Sequence, residues 1–148
     1  MATKQVAAGI VIHNGKILIA QRKRGKSLEY MWEFPGGKLE EGETLQQCLA
    51  RELMEELKLP ITVGEFFMKS VFEYDFGTIE LSAYFATCNK EDLSFHPDHE
   101  EARWVTIEEM DKYQFSPADR PILEALKKVK QPEDCWTICA KPRNDSLN

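Results

Sequence analysis

Apolar residues run almost unbroken from Val6 to Ile12 and again from Lys16 to Ala20, with His13-Asn14-Gly15 between them. Short apolar runs joined by Asn-Gly predict two antiparallel strands, the first covered on both faces. Tyr30 to Phe34 reads as a short strand leading into a Gly-Gly turn at Gly36 and Gly37. Thr44 and Gln47 fit a capping box for a helix running to about Lys58, which Pro60 helps to end. Ile61 to Asp75 and Thr78 to Cys88 are two β-rich runs joined at Phe76-Gly77-Thr78, and Arg103 to Thr106 is a further short strand. Asn89 to Glu100 has no period and reads as a polar loop. Thr106 and Glu109 fit a second capping box, for a short helix over residues 107–113. Ser116-Pro117 reads as N-cap and first-turn proline of a last helix with the stripe Ile122, Leu123, Leu126 and Val129. The order β-β-β-α-β-β-β-α-α predicts an α/β fold, a mixed sheet with helices on both faces. Residues 1–130 then form one domain. Residues 131–148, with only Trp136 and Ile138 to bury, read as a loosely docked extension.

Composition narrows the class. A chain of 148 residues with 43% hydrophobic content can build one ordinary core. A net charge of −6 opposes a phosphate-tracking nucleic-acid binder but allows a small phosphorylated ligand. No apolar run approaches the roughly 20 residues of a membrane span, and the N-terminus lacks the layout of a secretory signal. Cys48, Cys88, Cys135 and Cys139 are scattered and read as reduced thiols of a cytoplasmic protein. Cys135 and Cys139 lack the second pair that a zinc site needs.

The predicted helix after Thr44 carries an electrostatic problem. At about 100° per residue, Glu52, Glu55 and Glu56 share one arc of roughly 100°. Glu52 and Glu56 also lie beside Leu45, Cys48 and Leu49, on the side that periodicity assigns to the core. Carboxylates facing an interior need a counter-charge, and Arg51 alone is too little for three of them. Glu-rich helical runs are ordinarily solvated faces; the upstream context argues otherwise. A divalent cation would satisfy all three.

Gly37, five residues, Glu43, seven residues, then Arg51-Glu52-Leu53-x-Glu55-Glu56 and Leu59 resembles the signature of the Nudix hydrolases. Lys58 stands where that pattern has its last glycine, and its charge suits the negative end of the helix, so a local change of helix ending is expected. The resemblance implies an α/β/α sandwich, with Gly37 (through its carbonyl), Glu52, Glu55 and Glu56 holding Mg²⁺, or Mn²⁺ as a substitute. It also implies that Arg51 orients the acids, with Glu43 as its partner. Glu52 is the first candidate for general base. Glu100 or Glu101, in the loop before Trp104, is the second.

Beyond the signature, WEFPGGK, Arg22 twelve residues before Phe34, the run Tyr74 to Phe76 and SPADRP at Ser116 to Pro121 resemble the MutT branch and the CTP pyrophosphohydrolases. That likeness implies Arg22 on phosphate, Phe34 and Phe76 by the base, and Asp119 at the base edge. The MutT type has Asn at the last position. Ionised Asp only accepts hydrogen bonds, which suits the amine of cytosine or the N1-H and amino pair of guanine; its ordinary alternative is a cap on the last helix. The implied activity is cleavage of a nucleoside triphosphate to monophosphate and pyrophosphate, on modified nucleotides such as 8-oxo-dGTP or on CTP and 5-substituted dCTP, by a monomer or homodimer. Hydrolysis of nucleotide sugars or dinucleoside polyphosphates is a second reading. A non-catalytic nucleotide sensor or protein-binding module is a third, which would be expected to have lost acids that this chain keeps.

Overall fold

A computed structural model describes residues 3–91, 93 and 99–129. The 131–148 extension, with Cys135, Trp136, Ile138 and Cys139, lies outside the described residues. Strands β1 (Thr3–His13), β2 (Lys16–Arg22), β3 (Trp32–Glu33) and β4 (Gly36–Lys38) precede helix α1 (Leu45–Leu57). Strands β5 (Ile61–Tyr74), β6 (Gly77–Cys88) and β7 (His99–Val105), a 3₁₀ turn (Glu108–Lys112) and helix α2 (Arg120–Lys128) follow.

One seven-stranded mixed sheet runs β3-β2-β1-β6-β5, with β4 also pairing β1 and β7 also pairing β2. β1 and β6 are parallel, in register from Thr3↔Thr78 to Ile12↔Thr87. The other pairs are antiparallel. The β1–β2 turn has Asn14 at φ 52° and Gly15 at φ 76°, the left-handed pair a tight hairpin needs.

β1 is apolar from Val6 to Ile12 because it feeds two cores. Ala7 and Val11 pack with Leu18 of β2, Tyr84 and Ala86 of β6, and Cys48, Leu49, Leu53 and Leu57 of α1. Ala8, Ile10 and Ile12 pack on the other face with Ile17, Ile19, Leu81, Phe85, Phe115 and the α2 residues Ile122, Leu123 and Leu126. The period-two alternation of a strand thus sends neighbouring residues to opposite sides. Leu49, Leu53 and Leu57 are at most 1% exposed, and burying each is worth about 2 kcal/mol.

Four local expectations change. The Gly-Gly segment is strand, in antiparallel register with β1 at Gly36↔Ala8 and Gly37↔Ala7. Glycine permits it: a Cβ on Gly36 would lie 1.8 Å from the Ala7 carbonyl oxygen. β7 starts at His99, earlier than its polar sequence suggests, because β2 offers a ladder reaching Arg22↔His99. The Thr106–Glu109 box forms reciprocally, at 2.8 and 3.3 Å, but opens a 3₁₀ turn. The last helix begins at Arg120, its N-cap position held by Asp119 and its early proline being Pro121. Ser116 and Pro117 precede it in a turn, with the Ser116 carbonyl accepting from Asp119 and Arg120 N–H groups.

Lys58 brings no new helix ending. It adopts the left-handed conformation, φ 52° and ψ 37°, with its N–H on the carbonyls of Leu53 and Met54. The backbone keeps the geometry that favours glycine, and lysine bears the strain.

Candidate active site

The Thr44–Gln47 capping box fixes where α1 starts: the Gln47 N–H donates to Thr44 Oγ1 at 3.1 Å and the Thr44 N–H to Gln47 Oε1 at 2.9 Å. Four helical residues later Arg51 leaves the helix into a ring of oxygens. Its Nε and Nη2 grip Glu43 bidentately at 3.0 and 2.7 Å, and Nη1 reaches Glu52 at 2.9 Å and Glu55 at 3.2 Å. The Lys38 carbonyl takes a further bond from Nη2 at 3.2 Å. The guanidinium holds the Glu43 carboxyl at about 2, well below its ordinary value. The same bond to Glu43, with that to Glu52, pushes the Arg51 pKa up against the cost of burial.

Gly37 makes room for Glu52. A Cβ there would meet the Glu52 Cδ at 2.1 Å and Oε1 at 2.3 Å. The Gly37 carbonyl accepts a long bond from the Cys48 thiol, 3.4 Å, and burial pushes that thiol up to about 11. Among the described residues no three acidic, histidine or cysteine groups converge as a metal cage, and Arg51 is bonded to Glu52 and Glu55. The donor chemistry still suits a hard cation: carboxylate oxygens and a main-chain carbonyl, with the nearby Cys48 thiol kept neutral.

Glu52, Glu55, Glu56 and Gly37 line a cavity of about 850 Å³ together with Arg22, Phe34, Phe76 and Asp119. Its floor includes Val6, Ile79 and Leu81, with the side chains of Lys4 and Lys38 on the same sheet face as Val6. Arg22 is tied down locally, to the Ser27 carbonyl at 2.6 Å and to Glu33 at 3.3 Å. Phe76, 47% exposed, stacks on Tyr74 with centroids 4.9 Å apart and planes 7° apart. Tyr74 in turn accepts from the Ala118 N–H at 2.8 Å.

Asp119 is 5% exposed and makes no side-chain cap on α2. Its carboxylate accepts from the Phe34 N–H at 3.2 Å, across 85 residues of sequence. Burial, then the neighbouring Glu33, push the Asp119 carboxyl well above its ordinary value; the Phe34 N–H and Arg22 oppose them. A carboxyl that keeps its proton donates as well as accepts, so the expected acceptor-only contrast with asparagine narrows.

Glu101 is not among the cavity residues; its carboxylate takes the Arg103 Nε at 2.7 Å on β7. The Arg103 guanidinium itself lies over Trp32, 5.5 Å from the ring centre. The Glu100 side chain lies outside the described residues. Sequence reasoning missed Lys4, Lys38, Glu33 and Ser116, all of which line the cavity. Glu33 and Lys38 lie within WEFPGGK and Ser116 opens SPADRP, so those motifs carried a signal for them; Lys4 enters through strand alternation.

The sheet, the glutamate helix and the Gly-Gly strand form one α/β scaffold, and comparison assigns its family. Residues 3–126 match the NUDIX domain model, and the chain belongs to the NUDIX family. It is 38% identical to the CTP pyrophosphohydrolase of Escherichia coli (strain K12) over 126 residues, which cover 85% of this chain and 93% of that one. It is 35% identical to the 8-oxo-dGTP diphosphatase of Haemophilus influenzae over 124 residues, covering 82% and 90%. The solution structure of the MutT protein of methicillin-resistant Staphylococcus aureus matches with TM-score 0.68 at 40% identity, covering 84% of this chain and 95% of that one.

Proposed function

We propose that this Nudix hydrolase is a divalent-cation-dependent nucleoside triphosphate pyrophosphohydrolase. The observation that carries the reading is a single cavity lined both by the α1 glutamates with Gly37 and by the Tyr74–Phe76 stack with Asp119. The first group suits polyphosphate chemistry and the second suits a base. Named relatives acting on CTP and 8-oxo-dGTP support the same substrate class.

The Gly37 carbonyl, Glu52, Glu55 and Glu56 would hold Mg²⁺, or Mn²⁺ in its place. Such a cation neutralises charge on the phosphates and makes water more acidic. The chain's own residues do the rest. Glu52, seated against Gly37, takes the proton of the attacking water. That water adds at a phosphorus flanking the α–β bridge; the bridging P–O bond breaks, leaving monophosphate and pyrophosphate. Arg51 positions Glu52 and Glu55 and is itself locked by Glu43. Arg22, Lys4 and Lys38 offer positive charge to the phosphates, and Phe76 offers a face for the base to stack on.

Purified protein should release pyrophosphate from CTP, 5-substituted dCTP or 8-oxo-dGTP in the presence of Mg²⁺. Turnover of a nucleotide sugar or a dinucleoside polyphosphate instead, giving a sugar phosphate or a second nucleotide, would point to the other hydrolase reading. No turnover of any of these nucleotides would overturn the proposal.

A further inference from the structure

Ser116 presents a buried polar atom with nothing to bond to. It is 2% exposed, and its Oγ has no hydrogen-bond partner among the described residues. Its main chain is fully used: the N–H donates to the Trp32 carbonyl at 2.9 Å, and the carbonyl accepts from Asp119 and Arg120. A serine followed by Pro-Ala-Asp would ordinarily turn its hydroxyl onto the Asp119 N–H as an N-cap. Here the Ser116 carbonyl takes that N–H instead, at 2.9 Å. The hydroxyl is therefore left over in a wall that already contains Asp119, Glu33 and Phe34. An unpaired buried hydroxyl is costly and rarely retained without use.

We infer that Ser116 is a base-recognition residue, its hydroxyl completing, with Asp119, the polar wall that meets the hydrogen-bonding edge of the nucleobase. This rests on the nucleotide reading above and deepens it. Binding would bring Oγ to the cavity by a change between staggered χ1 wells. Serine can donate and accept at once, so it suits an edge on which donors and acceptors alternate.

The test is Ser116→Ala, read by equilibrium binding of CMP, GMP, 8-oxo-dGMP and ribose 5-phosphate, with thermal melting alongside. The inference expects roughly three- to tenfold weaker binding of at least one base-bearing monophosphate, the value of one hydrogen bond. Ribose 5-phosphate, which has no base, should lose less than twofold, and the melting temperature should not fall. An equal loss for ribose 5-phosphate, no loss for any monophosphate, a lowered melting temperature, or a wild type that does not distinguish these monophosphates from ribose 5-phosphate would overturn it. Pyrophosphate release by the wild type is scored separately, so failure of the activity and failure of base recognition are told apart.

Discussion

The glutamate cluster and the Asp119 wall share a cavity but are built in opposite ways. The first is local and ionic: Glu43, Arg51, Glu52 and Glu55 lie within 13 residues and close on one guanidinium. The second is remote and largely uncharged in its bonding. A backbone N–H from Phe34, a ring from Tyr74 and a carboxyl from Asp119 meet across most of the chain. Water reaches much of the first, with Glu55 58% exposed, while Asp119 is buried. Solvent and the Arg51 guanidinium therefore surround the acids of the first, whereas burial opposes charge at Asp119. A site that neutralises phosphate needs the former, and one that discriminates among bases gains from the latter.

The contrast breaks most sharply at Glu55. Glu55→Gln should lower turnover by about two to three orders of magnitude, as loss of one transition-state-stabilising group does. Its stability should stay within about 0.5 kcal/mol, because the ion pair with Arg51 is exposed. Pyrophosphate release and urea melts check both, and retained activity would remove Glu55 from the site.

Asp119→Asn should act through pH. Because the folded protein holds this carboxyl above its ordinary value of 3.8, the folded state binds the proton more tightly than the unfolded one. Stability contributed by the neutral acid is present at low pH and is lost as pH rises from about 4 through the raised folded value. The variant lacks that loss, so the stability difference should move in its favour over this window and then level off. Substrate preference should follow: similar for the two proteins below the titration of Asp119, diverging above it. A preference ratio that is constant across pH would return Asp119 to a structural role.

The smallest effect belongs to Lys58. Lys58→Gly should stabilise the protein by about 1 kcal/mol, since glycine takes φ 52° without strain. Turnover should be unchanged because the acids precede the helix end, and denaturant melts with initial rates read both.

These same regions explain what the sequence could disclose. The α1 acids were legible because helical periodicity fixes their arc and a contiguous signature fixes their partners, down to Glu43 on Arg51. The β1–β2 hairpin and the mixed sheet with helices on both faces were legible for the same reason, through local turn chemistry and alternation. Asp119 could be singled out by likeness, but the upward push on its carboxyl could not, because burial and the approach of Glu33 are tertiary facts. Ser116 looked like a cap because its neighbours fit one. The backbone carbonyl won the Asp119 N–H, and no local rule decides that competition. Glu101 is paired with Arg103, a neighbour that sequence spacing had not weighed.

β1 divides the apolar interior into two packing compartments, one on each face of the sheet. Ala7 and Val11 answer to the glutamate helix, whereas Ala8, Ile10 and Ile12 answer to the layer that carries Asp119. A substitution that reshapes one compartment leaves the side chains of the other in their own surroundings. Such a partition lets packing on the Asp119 face change without disturbing the side chains set against the glutamate helix.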